Sequence, residues 1–504
     1  MGLFKPRTAR SSRNFFEPTW DTIRIVEDYR VRTKLIRGGL TVLALGLMFA
    51  SGWLTRNLMA TLLLKRGSEV VVQRDFAPAL ADARNPAPNL QVSEPSMVGL
   101  YNRVFSLVRD EYVESVDPEK LAHGSLDALL ASLNDTRSQF LRPEQREQFT
   151  RALNGEIQGI GAVLTIVNRK TTLRVGNETT PLEQNLLQVV AVVPGSPAEK
   201  AGLKQGDVID AIGERWIISE DPFAEITQLQ RMHSPREQIR EASERARQRL
   251  QNSITLSEAI QRLSQNPKDA KEAKPLQLTV KRGGQTLKLE VARATTKVRP
   301  LEYRLLQNRW GYLRPNLLNA AAAREFANAL RTLKQGGAKG LIIDLRGVAI
   351  GQQEPMLQLL SPIATKRQVA QIEYREGKTY KKRPLNLPKA PQPINLPIAV
   401  LVDRGTYNIA EVTALAIRQT ARARMFGMPT FGEASQTNLY QLKDGSGFTL
   451  TVGRYLGVNG TKFHQQGVQP DERIAVEPRM RGQLGGDPAL ERALKWLSTQ
   501  EKKS

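Results

Sequence analysis

Histidine, a common catalytic side chain, occurs only three times in this chain of 504 residues. Cysteine is absent, which excludes a cysteine nucleophile, disulfide bonds, thiolate metal sites and a lipid-anchored N-terminal cysteine. The three histidines, His123, His233 and His464, lie in three separate regions, so a Ser-His-Asp arrangement built from His464 is only a minor alternative. The residues predict no metal site and no cofactor.

A glycine-rich loop is the first segment with a chemical use. In QGIGAVLTI, which begins at Gln158, two glycines allow backbone N–H groups to converge on an anion, and the next strand can accept an extended peptide along its edge. The segment GSPAEKAGLKQGDVI, from Gly195, resembles the core signature of a PDZ domain, and GIGA resembles its carboxylate-binding loop. The resemblance implies a peptide site formed by Gly159, Ile160, Gly161, Ala162, Val163, Leu256, Ile260 and Leu263.

The elements around this loop predict a chain of several domains. Short apolar strands alternate with glycine-rich turns in the PDZ-like part, and Pro197 after Ser196 predicts a short helix there. An Arg/Glu-rich insertion predicts a helix with Ser234 as N-cap, Pro235 at its first position and Glu237 completing a capping box. It is interpreted as a solvated helix, or alternatively as a docking or membrane-facing arm. Farther on, strands and helices interleave, which is typical of an α/β or α+β domain.

Eight motifs in order carry a resemblance over nearly all of the chain from Met97 to Leu497. A helical module, the PDZ signature, GYLRPN, GLIIDLRG, AVLVDRG, PTFGE, DGSGFTLTVGRYL and GVQPDE together resemble the C-terminal processing, or tail-specific, serine peptidases. The resemblance implies that the PDZ domain captures a protein C-terminus and presents it to a Ser/Lys dyad. It also implies an α+β fold with several domains.

The resemblance fails at the positions that carry the chemistry. The family's nucleophilic serine maps onto Asn408 in GTYNIAE, and its lysine base maps onto Glu433 after PTFG. The oxyanion-hole turn appears as DLRGVAIG, with Ile350 at the first glycine position and only Gly351 retained. A residue sometimes assigned to assist the dyad maps onto Gln419. The resemblance therefore implies a catalytically degenerate member with no intact catalytic residue.

Chemistry decides what these replacements mean. A hydroxyl needs a nearby base to act as a nucleophile, and an asparagine amide does not serve as the nucleophile of a repeated catalytic cycle. Losing nucleophile and base removes about 10^6 in rate, and losing an oxyanion donor removes about 10^2 to 10^3 more. Thr406 and Ser435 are the nearest hydroxyls in sequence. A hydrogen bond between Asn408 and Glu433 would be a structural remnant.

Three functions remain open on these residues. The first is a membrane-anchored homologue that is inactive and binds protein C-termini or partner proteins through its PDZ domain as a scaffold or regulator. The second is an active serine-type endopeptidase that uses displaced residues and cleaves extracytoplasmic proteins near their C-termini. The third is a basic, envelope-associated structural protein. Steep salt dependence of binding would favour the third function.

An uncharged run between Arg37 and Arg56 predicts one membrane-spanning helix. The basic residues before it place the N-terminus in the cytoplasm, so the expected location is the cell membrane with the main domains outside, as in the periplasm. A cleaved signal peptide and a buried helix are the alternatives. The predicted order is a basic tail (1–37), an anchor (38–64), a linker (65–96), a helical module (97–154), a PDZ-like domain (155–297, with an insertion at about 219–253), a peptidase-like core (298–478) and a C-terminal helix (479–504).

The formal net charge of +23 first suggests a polyanionic partner. Basic residues are, however, spread along the chain with acidic residues between them, and no nucleic-acid-binding motif accompanies them. The interpretation is a solvated basic surface, with nucleic acid an unlikely partner. The oligomeric state is not predicted.

Overall fold

The computed structural model describes residues 97–267, 274–389, 393–475, 477 and 480–501. The chain divides into two compact units, with the boundary between Asn134 and Asp135. The described part of the first unit contains helices α1 (Met97–Glu111) and α2 (Pro118–Ala131). The Asp117 carboxylate caps α2 by accepting from the backbone N–H of Glu119 at 2.9 Å.

The second unit contains nine further helices among the described residues. They are α3 (Pro143–Leu153), α4 (Pro197–Lys200), α5 (Ala224–Arg231), α6 (Arg236–Gln251), α7 (Leu256–Ser264), α8 (Ala320–Gln335), α9 (Gln353–Leu360), α10 (Ile409–Thr420) and α11 (Pro488–Glu501). The strands are β1 (Gln139–Leu141), β2 (Glu156–Ile157), β3 (Ala162–Val175), β4 (Glu178–Val192), β5 (Val208–Ile212), β6 (Arg215–Ile217), β7 (Ser253–Ile254), β8 (Leu276–Arg282), β9 (Gln285–Val291), β10 (Thr296–Lys297), β11 (Leu301–Leu306), β12 (Trp310–Pro315), β13 (Gly340–Asp344), β14 (Gln368–Glu376), β15 (Thr379–Asn386), β16 (Ile398–Val402), β17 (Ala423–Gly427), β18 (Ser435–Gln441), β19 (Gly447–Leu456) and β20 (Glu472–Arg473).

A six-stranded sheet forms the centre of the peptidase-like part, in the order β11-β12-β13-β16-β17-β20. Strands from β12 onward are parallel, and every residue of β13 and β16 is buried. Alternate side chains therefore pack on opposite faces. Ile343 and Val400 join the cluster with α8, α9 and α10, whereas Ile342 and Leu401 join the cluster with α11. The alternation of strands and helices predicted from the sequence is confirmed.

A second sheet of seven strands forms the PDZ-like part, in the order β3-β4-β5-β6-β7, with β8 paired to both β5 and β9. Its core includes Ile160, Leu187, Ile209, Leu263 and Val280. Strand β3 stands at one edge of this sheet, and β3 and β4 form a long antiparallel hairpin.

The helical insertion folds as the pair α5 and α6. Ile226, Leu229, Ala242 and Ala246 form a small core, against which Val175 of the β3–β4 hairpin packs. The insertion therefore buries an apolar face of its own. Helix α6 begins one residue later than predicted, with Pro235 at the cap position and no side-chain cap hydrogen bond. The predicted capping box does not form because its spacing required Ser234 as the cap.

A third sheet of five strands contains the order β1-β19-β14-β15, with β18 paired to β19. The hairpin predicted from LYQLKDGSGFTLTVGRYL is confirmed as β18 and β19. Strand β18 begins at Ser435, two residues after Glu433. This sheet therefore starts beside the position expected for the family's base.

The membrane anchor predicted at 38–64 lies outside the described residues, as do the tail and the linker. Within the described ranges, no helix is both long and apolar enough to cross a membrane. The longest of these helices, α6 and α8, have 16 residues each, and a spanning helix needs about 20 apolar residues. The transmembrane helix in the predicted fold class and the predicted cell-membrane location are therefore not supported, and both predictions are corrected.

A buried ion network ties α11 to the central sheet. The Arg346 guanidinium donates to both carboxylate oxygens of Asp344 and to both of Asp487, at 2.6–3.0 Å. Both partner side chains are fully buried. Asp487 also accepts from the backbone N–H of Leu490 at the start of α11, and the Tyr312 hydroxyl donates to Asp344. The guanidinium holds the pKa of Asp344 well below its usual range although burial opposes this.

We predict that Asp487→Ala destabilises the protein by about 3–5 kcal/mol, because it leaves the buried Arg346 charge partly unpaired. The measurement is the free energy of unfolding from urea denaturation. Glu237→Ala is the matched control, because it removes an ion pair with Arg240 that is exposed on both sides. A loss no larger than that of the control would contradict the structural role given to this network.

Candidate functional site

A sharp turn between β16 and α10 presents Asn408, the residue onto which the sequence resemblance maps the family's nucleophile. Asn408 has φ +49° and ψ −112°, a backbone conformation that a residue with a side chain adopts only where its surroundings impose it. A strained residue between a strand and a helix is also how α/β-hydrolases expose a nucleophile. The turn therefore retains the geometry of a nucleophile elbow, although its residue is not a nucleophile.

Glu411, in the first turn of α10, fixes this elbow. Its buried carboxylate accepts from the backbone N–H of Asn408 at 3.0 Å, and from those of Gly432 and Glu433 at 2.7 Å. The Thr430 hydroxyl donates to it as well. Burial raises the pKa of Glu411 to about 8, although these four donors oppose the rise. One carboxyl group thus joins the elbow to the segment 430–433.

The Asn408 side chain is committed to the backbone beside it. Its Nδ2 donates to the carbonyl oxygen of Ser435 at 2.8 Å and to that of Glu433 at 3.3 Å. The bond expected between Asn408 and Glu433 therefore goes to the Glu433 backbone. The amide bridges two segments and carries no group that a base could activate.

The Glu433 carboxylate lies at the same place, with 12% of its side chain exposed. Its Oε1 accepts from the Ser435 backbone N–H at 2.8 Å and lies 3.9 Å from Nδ1 of His464. That nitrogen faces the backbone N–H of Ala434 at 3.4 Å. The group at the base position is thus a hydrogen-bonded carboxylate, whose negative charge disfavours an oxyanion close by.

The oxyanion turn lies against the elbow. The backbone N–H of Tyr407 donates to the carbonyl oxygen of Val348 at 3.0 Å, and Ile350 accepts from the N–H of Leu318 at 2.9 Å. Gly351 forms an isolated bridge with Leu318. The structure therefore brings the predicted positions 350, 351, 408 and 433 into one region.

Two other residues considered from the sequence have structural roles. Thr406 is fully buried, and its hydroxyl donates to the Leu345 carbonyl at 2.9 Å while accepting from the Asp403 N–H at 3.0 Å. Gln419 lies eleven residues beyond Asn408 on α10, about 16 Å along a helix. Its side-chain oxygen accepts from the Val458 backbone N–H, and its side-chain nitrogen donates to Oδ1 of Asn459.

A cluster around Tyr407 leaves no signal in the sequence pattern. This ring is buried, stacks edge-on against Phe431 at 4.9 Å and has the guanidinium carbon of Arg137 at 5.5 Å from its centre. Burial raises the pKa of the Tyr407 hydroxyl, and the nearby side chains of Arg137 and Thr165 oppose that rise. Desolvation opposes the charge on Arg137, yet Tyr407 and Glu433 hold its pKa above the usual value. Only the fold places residue 137 beside residues 407 and 433.

Strand β3 therefore reaches the elbow through Thr165, and a second contact joins the PDZ-like part to the same loop. Asp403 accepts from the backbone N–H groups of Gly347 and Gly405 at 3.0 Å and 2.8 Å, and forms an ion pair with Arg481. Arg481 also donates to Gln205, in the PDZ-like part, at 2.9 Å. The elbow is bounded on this side by the PDZ-like sheet.

The predicted carboxylate loop is held tightly between two helices. The N–H of Gly159 donates to Oδ1 of Asn266 at 3.0 Å, and that of Ile160 donates to the Leu263 carbonyl at 2.9 Å. A Cβ on Gly159 would lie 2.1 Å from the Leu263 carbonyl oxygen, and one on Gly161 would lie 2.3 Å from Cβ of Ser196. Both glycines have positive φ and are required by these close approaches.

The other predicted peptide-site residues lie on β3, on α7 and in the core between them. Ala162 and Val163 begin β3, where they pair with Val192 and Ala191 of β4. This leaves the outer edge of β3 without a partner strand among the described residues. Leu256 and Ile260 are half-buried on α7, whereas Ile160 and Leu263 are core residues.

Comparisons with known proteins agree with this architecture. Residues 309–474 match peptidase family S41, and residues 188–238 match a PDZ domain. The carboxy-terminal processing proteases CtpA and CtpB of Bacillus subtilis are 24% and 27% identical over 74% and 73% of this chain. The aligned parts cover 68% and 66% of those two relatives, about two thirds of their length. The carboxyl-terminal-processing protease of Synechocystis sp. is 28% identical over 73% of this chain and 74% of its own length.

A solved structure has the same fold. The photosystem II D1 C-terminal processing protease superposes with a TM-score of 0.51 and 20% identity, over 74% of this chain and 86% of that one. The resemblance seen in the sequence motifs is therefore confirmed. This chain contains a stretch that matches a PDZ domain followed by one that matches peptidase family S41, and it is similar to the carboxy-terminal processing proteases.

Proposed function

We propose that this chain is a pseudopeptidase that binds protein C-termini or partner proteins through its PDZ domain and acts as a scaffold or regulator. The observation that carries the proposal is the pair Asn408 and Glu433, of which Asn408 occupies the strained elbow and Glu433 lies beside it. An amide replaces the nucleophile and a carboxylate replaces the base. These two replacements are expected to lower the rate of peptide hydrolysis by about 10^6, as removal of the whole catalytic triad does in a serine protease.

The contacts around the elbow argue against a displaced nucleophile. The Thr406 hydroxyl has a backbone acceptor and a backbone donor, and its side chain is fully buried. Ser435 starts strand β18. Its backbone carbonyl accepts a hydrogen bond from Asn408, and its backbone N–H donates one to the Glu433 carboxylate. Nδ1 of His464 faces a backbone N–H, so this nitrogen does not stand ready to accept a proton from a serine.

The PDZ groove supports the binding half of the proposal. An extended peptide that pairs with the outer edge of β3 would lie beside the half-buried Ile260 of α7. Its carboxylate would compete with Asn266 and with the Leu263 carbonyl for the loop amides. Because these internal hydrogen bonds must be exchanged, we expect C-terminal peptides to bind with a Kd above about 1 μM.

We predict that a labelled peptide with an apolar C-terminal residue and a free carboxylate binds the full-length protein, whereas its C-terminal amide does not. Ile260→Glu should weaken binding about tenfold or more, since it places a charge against the apolar side of the groove. Gln261→Glu adds the same charge on the exposed side of α7 and should bind normally. Fluorescence anisotropy measures both affinities. Equal binding of acid and amide, or no binding by any member of a C-terminal peptide library, would remove the support for this role.

We predict that Thr406→Ala lowers the free energy of unfolding by about 1–3 kcal/mol, because the Leu345 carbonyl and the Asp403 N–H lose their buried partner. Its effect should be structural only, so the affinity for C-terminal peptides stays unchanged. The free energy is measured by chemical denaturation, with Thr379→Ala, at an exposed hairpin position, as the control. A Thr406→Ala protein as stable as the control would contradict the committed hydroxyl and reopen this residue as a reactive group.

A further inference from the structure

The hairpin formed by β14 and β15 carries a dense positive charge away from the elbow. Between residues 375 and 384 there are five basic residues and one acidic residue, and all ten positions are exposed. The basic side chains belong to Arg375, Lys378, Lys381, Lys382 and Arg383. Tyr380, with 73% of its surface exposed, lies among them.

The outer edge of β15 is unpaired. In the five-stranded sheet β15 is a terminal strand, and no strand in the described residues pairs with its far side. Glu376 pairs with Thr379 across a two-residue turn in which Gly377 has φ +61°. Hydrogen-bonded and non-hydrogen-bonded pairs alternate from that turn. Tyr380 and Lys382 fall in non-hydrogen-bonded pairs, so their backbone N–H and C=O groups point away from β14. Pro384 also faces outward and has no N–H, so the open edge ends there.

One face of the hairpin adjoins a depression of about 350 Å³, lined by Tyr374, Arg383, Gln436 and Val452. Lys381 and Arg383 lie opposite Tyr374 and Ile372 in the ladder, which places these four residues on the same face. The Arg383 guanidinium lies 5.8 Å from the centre of the Tyr374 ring. On this face, an apolar side chain of a bound segment could pack against Tyr374, and an anionic one could pair with Lys381 or Arg383.

We propose that the outer edge of β15 is a docking site for an acidic, extended polypeptide segment that adds to the sheet as a further strand. Charge complementarity selects this occupant. Lysines on an edge strand prevent it from pairing with the same strand of a second molecule, because the two positively charged hairpins repel each other. The same charges favour a segment rich in Asp or Glu, whose backbone pairs at Tyr380 and Lys382. The site is separate from the PDZ groove and does not depend on the proposed pseudopeptidase role.

The test is fluorescence anisotropy of the full-length protein with a labelled, alternating Glu-Val peptide. Both ends of the peptide are blocked, so capture of a free C-terminus by the PDZ domain is not measured. Lys381→Glu/Arg383→Glu should weaken binding about tenfold or more, because like charges then face each other. Arg331→Glu/Lys334→Glu, an equal charge change on exposed positions of α8, should leave binding within about twofold, because α8 packs against β11 and β12 of the six-stranded sheet and not against β15.

A matched pair at Lys382 separates strand addition from charge attraction. Lys382→Gln and Lys382→Pro both remove the charge, but only the proline removes the outward N–H. The proline should bind the peptide about fivefold more weakly than the glutamine, the equivalent of one net hydrogen bond. Both should bind inorganic polyphosphate equally. Pro384 on the same edge shows that the strand accepts proline in this orientation.

Equal peptide affinities for the two Lys382 variants would overturn strand addition and leave a purely electrostatic surface. Absence of peptide binding by the natural protein, or loss of binding in the α8 charge control, would overturn the site itself. These outcomes are independent of the C-terminal peptide measurement, which uses a different ligand and a different groove.

Discussion

Glu411 accepts four hydrogen bonds inside the core, and the geometry of the whole region depends on them. Its carboxyl group holds the strained backbone of Asn408 on one side and the segment from Thr430 to Glu433 on the other. A strained residue persists only when its surroundings determine it in several ways at once. The elbow is therefore a property of the scaffold and survives whatever side chain occupies position 408.

This separation of scaffold from chemistry is consistent with the proposed replacement of the dyad in a retained fold. Residues that build the fold, such as Asp344 and Arg346, are buried in a complete ion network, so removing one partner is costly. Asn408 and Glu433 use their polar atoms for local hydrogen bonds to the backbone of Ser435. The PDZ domain adds contacts through Thr165 and Gln205 to the same region, so the elbow is part of a closed junction.

The sequence predicts those parts of this arrangement that depend on local patterns. The continuous apolar runs in β13 and β16, the β18–β19 hairpin and the strand-turn-helix around Asn408 all follow from spacing and residue type. Gln419 could be placed far from the elbow only once α10 was seen as one straight helix. Arg137 lies about 270 residues before Tyr407 in sequence, and contacts between such distant residues leave no periodic signal. The apolar run at 38–64 predicted an anchor, and the described helices do not support a membrane protein.

The central claim is that a retained elbow with Asn408 and Glu433 does not hydrolyse peptides. The most direct measurement is cleavage of an unfolded model protein by the full-length chain, beside Ser435→Ala and the double variant Asn408→Ser/Glu433→Lys. The account predicts no cleavage by the natural chain above the background of a boiled sample, and any activity only in the double variant. Cleavage by the natural chain that Ser435→Ala abolishes would contradict the account and identify a displaced nucleophile.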